Sequence, residues 1–95
     1  MRLEISPLAV LDVRRIAKNI AKDKPLAAMR WVDMIESEFL VILNSPLAFP
    51  LTHLSPSGFR KRNVGQYIIF FRALGDVVRI ERVMHGMRDL PAHVK

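Results

Sequence analysis

The hydrophobic period of the chain changes part-way along, dividing it into a helical half and a sheet half. Arg2 to Ser6 reads RLEIS, with Leu3 and Ile5 at alternate positions as in a short strand. Ser6-Pro7 predicts a helix start, because a serine oxygen caps free N–H groups and a proline in the first turn gives up no needed donor. Ala9, Val13, Ile16 and Ile20 then recur on one side, with Arg14, Arg15, Lys18 and Lys22 on the remaining arc. This is an amphipathic helix with a basic outer side. Asp23-Lys24-Pro25 repeats the punctuation, and a second helix runs to about Asn44, ending before Ser45-Pro46, where proline disfavours further helix. The short link predicts an antiparallel hairpin whose inner stripe is Ala28, Trp31 or Val32, Ile35, Phe39 and Ile42. Met34, Leu40, Val41 and Leu43 add apolar surface beyond it, as a second packing side or as an interface.

Residues 45–58, with Pro46, Pro50, Pro56 and Gly58, read as a loop. The period then becomes two. Phe59 to Val64, Tyr67 to Ala73 and Val77 to Met84 predict a three-stranded antiparallel meander with turns at Gly65-Gln66 and Gly75-Asp76. The order β-α-α-β-β-β gives one α+β domain over residues 1–95, a helical hairpin packed on one face of a small, mainly antiparallel sheet. The other face is expected to stay open as a working surface. Alternation separates Arg60 and Arg62 from Lys61, so this basic cluster directs charge to both faces or to a sheet edge. Arg82 is expected to share the helix-facing side with Val78, Ile80 and Met84 and to pair with Asp12 as a scaffold salt bridge.

Composition narrows the chemistry. At 95 residues, 51% hydrophobic and 25% charged, the chain is an ordinary globular domain. It has no cysteine, which excludes disulfides, thiolate metal sites and thiol nucleophiles. Its longest apolar runs, Phe39 to Leu43 and Tyr67 to Phe71, are five residues each, against the roughly 20 needed to span a bilayer. Charges at Arg2 and Glu4 interrupt the place where a secretory signal would begin, so no membrane association and a cytoplasmic location are expected. The net charge of +6 suggests an acidic partner. Residues 1–45 hold seven Lys/Arg and six Asp/Glu, and residues 46–95 hold eight and three, which places the functional electrostatics in the second half. His53, His85 and His93 have no carboxylate or thiol pattern that would make a metal site, and no cofactor is implied. His85 and Arg88 flank Gly86 and are paired by position. There the histidine either fixes the turn or contacts a ligand, while Arg88 pairs with Asp89 or a carbonyl, or else binds an anion. Tyr67, in an apolar strand, is expected in the core with its hydroxyl bonded.

Taken together, Ser6-Pro7-x-Ala9-x-x-Asp12-x-x-x-Ile16, Pro25-x-Ala27-Ala28, Gly58-x-Arg60, Val64-Gly65-x-Tyr67-Ile68-Ile69-Phe70 and Ile80-x-Arg82-Val83-x-His85-Gly86-x-Arg88-Asp89 resemble the RelE/ParE superfamily of bacterial toxins. The closing HGxRD element looks most like the ParE branch. The resemblance implies a toxin of a type II toxin–antitoxin module, neutralised by a cognate acidic antitoxin in a hetero-oligomer. ParE-like members poison DNA gyrase without chemistry of their own, and RelE-like members cut mRNA on the ribosome. The nucleases carry an arginine where Ile68 stands and a tyrosine where Val94 stands, departures that favour gyrase. Target contacts are expected at Arg60, Arg62, His85, Arg88 and the C-terminal tail; in a nuclease those four side chains would be catalytic. A third reading is a non-toxic relic that keeps only antitoxin binding. Antitoxin contacts are expected at Trp31, Met34, Ile35, Leu40 and Val41, with Trp31 as anchor, and an extended antitoxin segment could add to a sheet edge.

Overall fold

The computed structural model describes residues 1–52 and 58–89; His53, His93, Val94 and the C-terminal tail lie outside them. The elements follow as β1 (Arg2–Ile5), α1 (Pro7–Ala21), α2 (Pro25–Asn44), a 3-10 turn η1 (Pro46–Ala48), β2 (Arg60–Val64), β3 (Tyr67–Leu74) and β4 (Val77–His85). The sheet order is β1-β4-β3-β2, with β1 parallel to β4 and the other pairs antiparallel. This is the expected α+β arrangement of two helices on a mixed four-stranded sheet. Both hairpins have two-residue turns whose first residue, Gly65 or Gly75, has φ near +60°. Side chains rarely take that backbone conformation, and a glycine takes it freely.

The core lies between the hairpin and one sheet face. Ala9 and Ile16 from α1, Trp31, Ile35, Phe39 and Ile42 from α2, and Ile69, Phe71, Val78, Ile80 and Val83 from the sheet are buried. Trp31, rather than Val32, fills the open place in the α2 stripe, and its ring lies 5.1 Å from that of Tyr67. Its Nε1 is buried without a hydrogen-bond partner. Ile35 is fully buried and Trp31 is 9% exposed. Neither presents the surface expected for an antitoxin contact, because helical spacing turns both toward the sheet. Met34, Leu40 and Val41 are exposed.

Three features depart from the alternation read in the sequence. A register shift faces Phe70 with Arg82 and Phe71 with Ile80, leaving Glu81 as an extra residue in β4. Beyond this bulge Val83 and His85 become buried, and Met84 does not. Secondly, part of the proline-rich segment extends the sheet: Leu51 bridges Arg60, Thr52 N–H donates to the Phe59 carbonyl at 2.8 Å, and Lys61 N–H donates to the Pro50 carbonyl at 3.1 Å. Thirdly, the second sheet face is not wholly open. Phe70, which alternates with Ile69 and Phe71, is 3% exposed, and Arg72, Glu81, Arg79 and Glu4 form a run of ion pairs of 2.7–3.3 Å across β3, β4 and β1.

β1 ends at Ile5, opposite Ile80, so the rest of β4 needs other partners on that edge. The start of α1 supplies them. Ser6 N–H donates to the Ile80 carbonyl at 2.9 Å, Ser6 Oγ donates to the Glu81 carbonyl at 2.7 Å, and the same oxygen accepts the Ala9 N–H as helix cap. One turn on, Asp12 Oδ2 accepts the Val83 N–H at 2.9 Å, and the carboxylate takes two bonds from Arg82 at 2.8 and 3.0 Å. These bonds hold the Arg82 guanidinium above its ordinary value against the opposing effect of burial. The Asp12–Arg82 pairing expected from the sequence is therefore present, and it also closes a strand edge.

Asp12→Ala leaves the Val83 N–H and Arg82 without their acceptor. The buried Val83 N–H left unsatisfied costs about 1–3 kcal/mol, and the lost charge-assisted bonds to the part-exposed Arg82 about 1.5–3 kcal/mol, so urea unfolding should register a loss of about 3 kcal/mol. A loss under about 1 kcal/mol would show that this contact is not a main support of the fold.

Candidate functional site

The end of β4 and the turn after it make a polar constellation beside an indentation. His85 is 8% exposed. Its Nδ1 accepts the N–H groups of Met87 at 3.1 Å and Arg88 at 3.2 Å, and Nε2 lies 3.3 Å from Gln66 Oε1. That pattern requires a bare Nδ1, with the ring proton on Nε2 facing the Gln66 oxygen. Asp89 closes the turn from the other side: its Oδ2 accepts the His85 N–H at 2.7 Å, and its own N–H donates to the His85 carbonyl at 2.9 Å. Gly86 N–H donates to the Gln66 carbonyl at 2.9 Å, tying the turn to the β2–β3 hairpin. Every polar atom of the imidazole is thus engaged in shaping the turn, the structural role that the sequence left open for it.

The turn faces α1 across a small cleft lined by Arg15, Asn19, Tyr67, His85, Arg88 and Asp89, with Ile16 at its base. Tyr67 is half-buried, its ring packed edge-on to His85 with centroids 5.3 Å apart. Among the described residues its hydroxyl has no hydrogen-bond partner, contrary to expectation. Arg15 reaches Asp89 at 3.4 Å and Asp12 at 3.8 Å. Burial works to raise the Asp89 carboxyl, but the His85 N–H and the Arg15 guanidinium outweigh it and hold the group below the usual carboxylate range. Because Asp89 pairs with Arg15, Arg88 is left exposed and without a partner among the described residues. The sequence reading missed Arg15, Asn19 and Gln66; Arg15, one helical turn after Asp12, carried the only signal.

Arg60 and Arg62 are placed elsewhere. Arg60 Nη1 donates to the Phe49 carbonyl at 2.7 Å, and Arg62 holds Glu38 of α2 at 2.8–2.9 Å while lying 5.3 Å from the Phe49 ring centre. Both turn to the helix side and secure the segment around Phe49. Arg62 pairs with Ile69, which pairs with Val83, so β2 and β4 lie two strand spacings apart, about 10 Å. The four residues expected to work together fall into two groups, and the two on β2 are already bonded within the fold. Among the described residues no cluster of His, Cys, Asp or Glu could hold a metal ion.

The family model for the ParE toxin of the type II toxin–antitoxin system parDE matches residues 3–90. The chain belongs to the ParE toxin family. Among solved structures, the chromosomal ParDE toxin–antitoxin system from P. aeruginosa contains a chain that superposes with a TM-score of 0.79 at 18% identity, covering 90% of this chain and 95% of that one. YafQ from E. coli strain BL21(DE3) superposes with a TM-score of 0.57 at 23% identity, covering 92% and 96%. A histidine-to-glutamine variant of E. coli YafQ gives 0.54 at 22% identity, covering 92% and 96%. No curated protein matches. The ParE assignment rests on the family model, since likeness at such identities shows the fold alone.

In this ParE-family chain the Asp89 contacts should depend on acidity. A carboxyl held low in the fold stabilises fully above the usual carboxylate range and loses that contribution as pH falls through its lowered value. Asp89→Asn should therefore cost about 1 kcal/mol near neutral pH and nothing once both proteins are below that range. Urea titrations from pH 7 to 2 check this, and a deficit unchanged at pH 2 would contradict it.

Proposed function

We propose that this toxin acts by binding DNA gyrase and holding it in its broken-DNA state, and that a cognate acidic antitoxin neutralises it. The observation that carries this reading is the division of the candidate catalytic set. Cleavage of RNA without a metal needs a base, an acid and phosphate ligands converging on one bond. Here Arg60 and Arg62 are spent on Phe49 and Glu38, and both His85 nitrogens are spent on the turn. What remains is a firmly held turn presenting Arg88, which suits recognition better than bond-breaking. Target contact then centres on Arg88 and the neighbouring cleft, with His85 acting as its support.

A second reading, a ribosome-dependent mRNA endonuclease of the RelE kind, has one observation in its favour, the fold shared with YafQ. Two assays separate the readings. Purified protein should raise linear DNA in a gyrase cleavage assay and leave message intact in a translating extract read by primer extension. Codon-positioned cuts would overturn the gyrase reading; silence in both assays would favour the non-toxic relic.

For the antitoxin, we assign an amphipathic helix to the outer side of α2 at Met34, Leu40 and Val41, within a toxin–antitoxin hetero-oligomer in the cytoplasm. An extended segment would find the start of the β2 edge, at Arg60 and Lys61, already paired with residues 50–52, and the outer edge of β1 without a strand partner among the described residues. Leu40→Asp with Val41→Asp should weaken antitoxin binding about 100-fold and leave the urea midpoint nearly unchanged, since both side chains are exposed. Trp31→Ala should instead cost about 3–5 kcal/mol of stability. Unchanged affinity in the double variant would place the antitoxin elsewhere.

A further inference from the structure

The fold redistributes the positive charge that the sequence places in the sheet half. Arg60, Arg62, Arg72, Arg79 and Arg82 all have protein partners. The cations left without one among the described residues are concentrated on α1 and at its C-terminal end. Arg14, Lys18 and Lys22 are exposed and recur every fourth residue, so they stand on one side about 6 Å apart along the axis. The only acid within α1 is Asp12, which is buried beneath Arg82 and Val83, so no carboxylate of this helix neutralises the row.

The row also leads somewhere. Arg15, Lys18, Asn19 and Lys22 line a shallow depression along α1, and Arg15 and Asn19 also line the cleft that ends at Arg88. The two depressions share a wall and make one cationic track from Lys22 to the turn after β4. An amphipathic peptide needs an apolar anchor. The exposed leucines of α1, Leu8 and Leu11, lie in its first turns, away from this track. The cleft end also holds Ile16, Tyr67, His85 and the Asp89 carboxylate, which pairs with Arg15, and otherwise the track offers ammonium, guanidinium and amide groups. Those are the groups that contact phosphates and fix register on a nucleic acid without reading bases. Cations at a helix C-terminus also favour the helix dipole, but that effect does not account for continuation of the track to Arg88.

We propose that the α1 face from Lys22 to Arg88 binds the phosphodiester backbone of a nucleic acid. This contact is separate from the antitoxin surface on α2 and does not rest on the gyrase reading.

The full chain can be titrated, by fluorescence anisotropy, into labelled 20-base-pair DNA, single-stranded DNA and RNA of the same length, and a poly-glutamate peptide, between 50 and 200 mM salt. Binding to nucleic acid should weaken with salt at a log–log slope of about −0.9 per duplex phosphate contacted. Lys18→Gln with Lys22→Gln should make that slope shallower by about 2 and lower affinity at least about 10-fold at 50 mM salt. Arg30→Gln with Lys61→Gln, which removes the same charge elsewhere, should do neither. A preference for duplex would name DNA as the source of the backbone, and a preference for the ribose strand would name RNA; either supports the proposal. Equal losses in the two double variants would reduce the effect to net charge and overturn it. So would poly-glutamate bound as tightly as nucleic acid, or no binding to nucleic acid at 50 mM salt.

Discussion

The unpaired edge of β4 beyond Ile80 is the constraint around which the molecule is built. A strand edge in the interior must find partners for its N–H and C=O groups, and β1 is too short to provide them. Ser6, Asp12 and Asp89 each take one of the exposed positions, at Glu81, Val83 and His85 respectively. The helix is therefore docked by hydrogen bonds at its start and by apolar packing along its inner stripe. Because Asp12 also holds Arg82 and lies 3.8 Å from Arg15, the contact that closes the edge orders one wall of the cleft. Fold and candidate site share this support.

Much of the architecture was legible in the sequence because periodicity reports burial directly. The α1 stripe, the α2 stripe and the two glycine turns follow from residue spacing, and the Asp12–Arg82 pair from the need to satisfy a buried charge, although the bulge sets Arg82 opposite Phe70 and takes it off the side of Val78 and Ile80 on which it was expected. What was not legible depends on long-range register. One extra residue at Glu81 moves Val83 and His85 into the interior and Met84 out of it, and alternation read along a strand has no means of showing a bulge. The extended run at residues 50–52 was hidden in the same way, since prolines mark a loop whether or not its backbone later pairs with an edge.

The candidate site was harder to read because charge type does not reveal its partner. Arg60 and Arg62 looked like a functional cluster from composition alone. Their acceptors, the Phe49 carbonyl and Glu38, come from segments distant in sequence. Helix α1, whose basic residues looked like an ordinary solvated side, holds with Lys22 just beyond its end a large share of the charge that the fold leaves free among the described residues. His85 was legible as a turn residue, and the structure adds how its bare nitrogen serves two backbone donors at once.

The central claim is that side chains, Ser6 and Asp12 at the start of α1 and Asp89 after β4, close the β4 edge in place of a strand. Native-state hydrogen exchange of the Val83 amide tests it most directly, because that N–H has a carboxylate as its acceptor. The account predicts protection comparable to the core amide of Ile69, with exchange only through global unfolding. Rapid exchange at Val83 while Ile69 stays protected would contradict it.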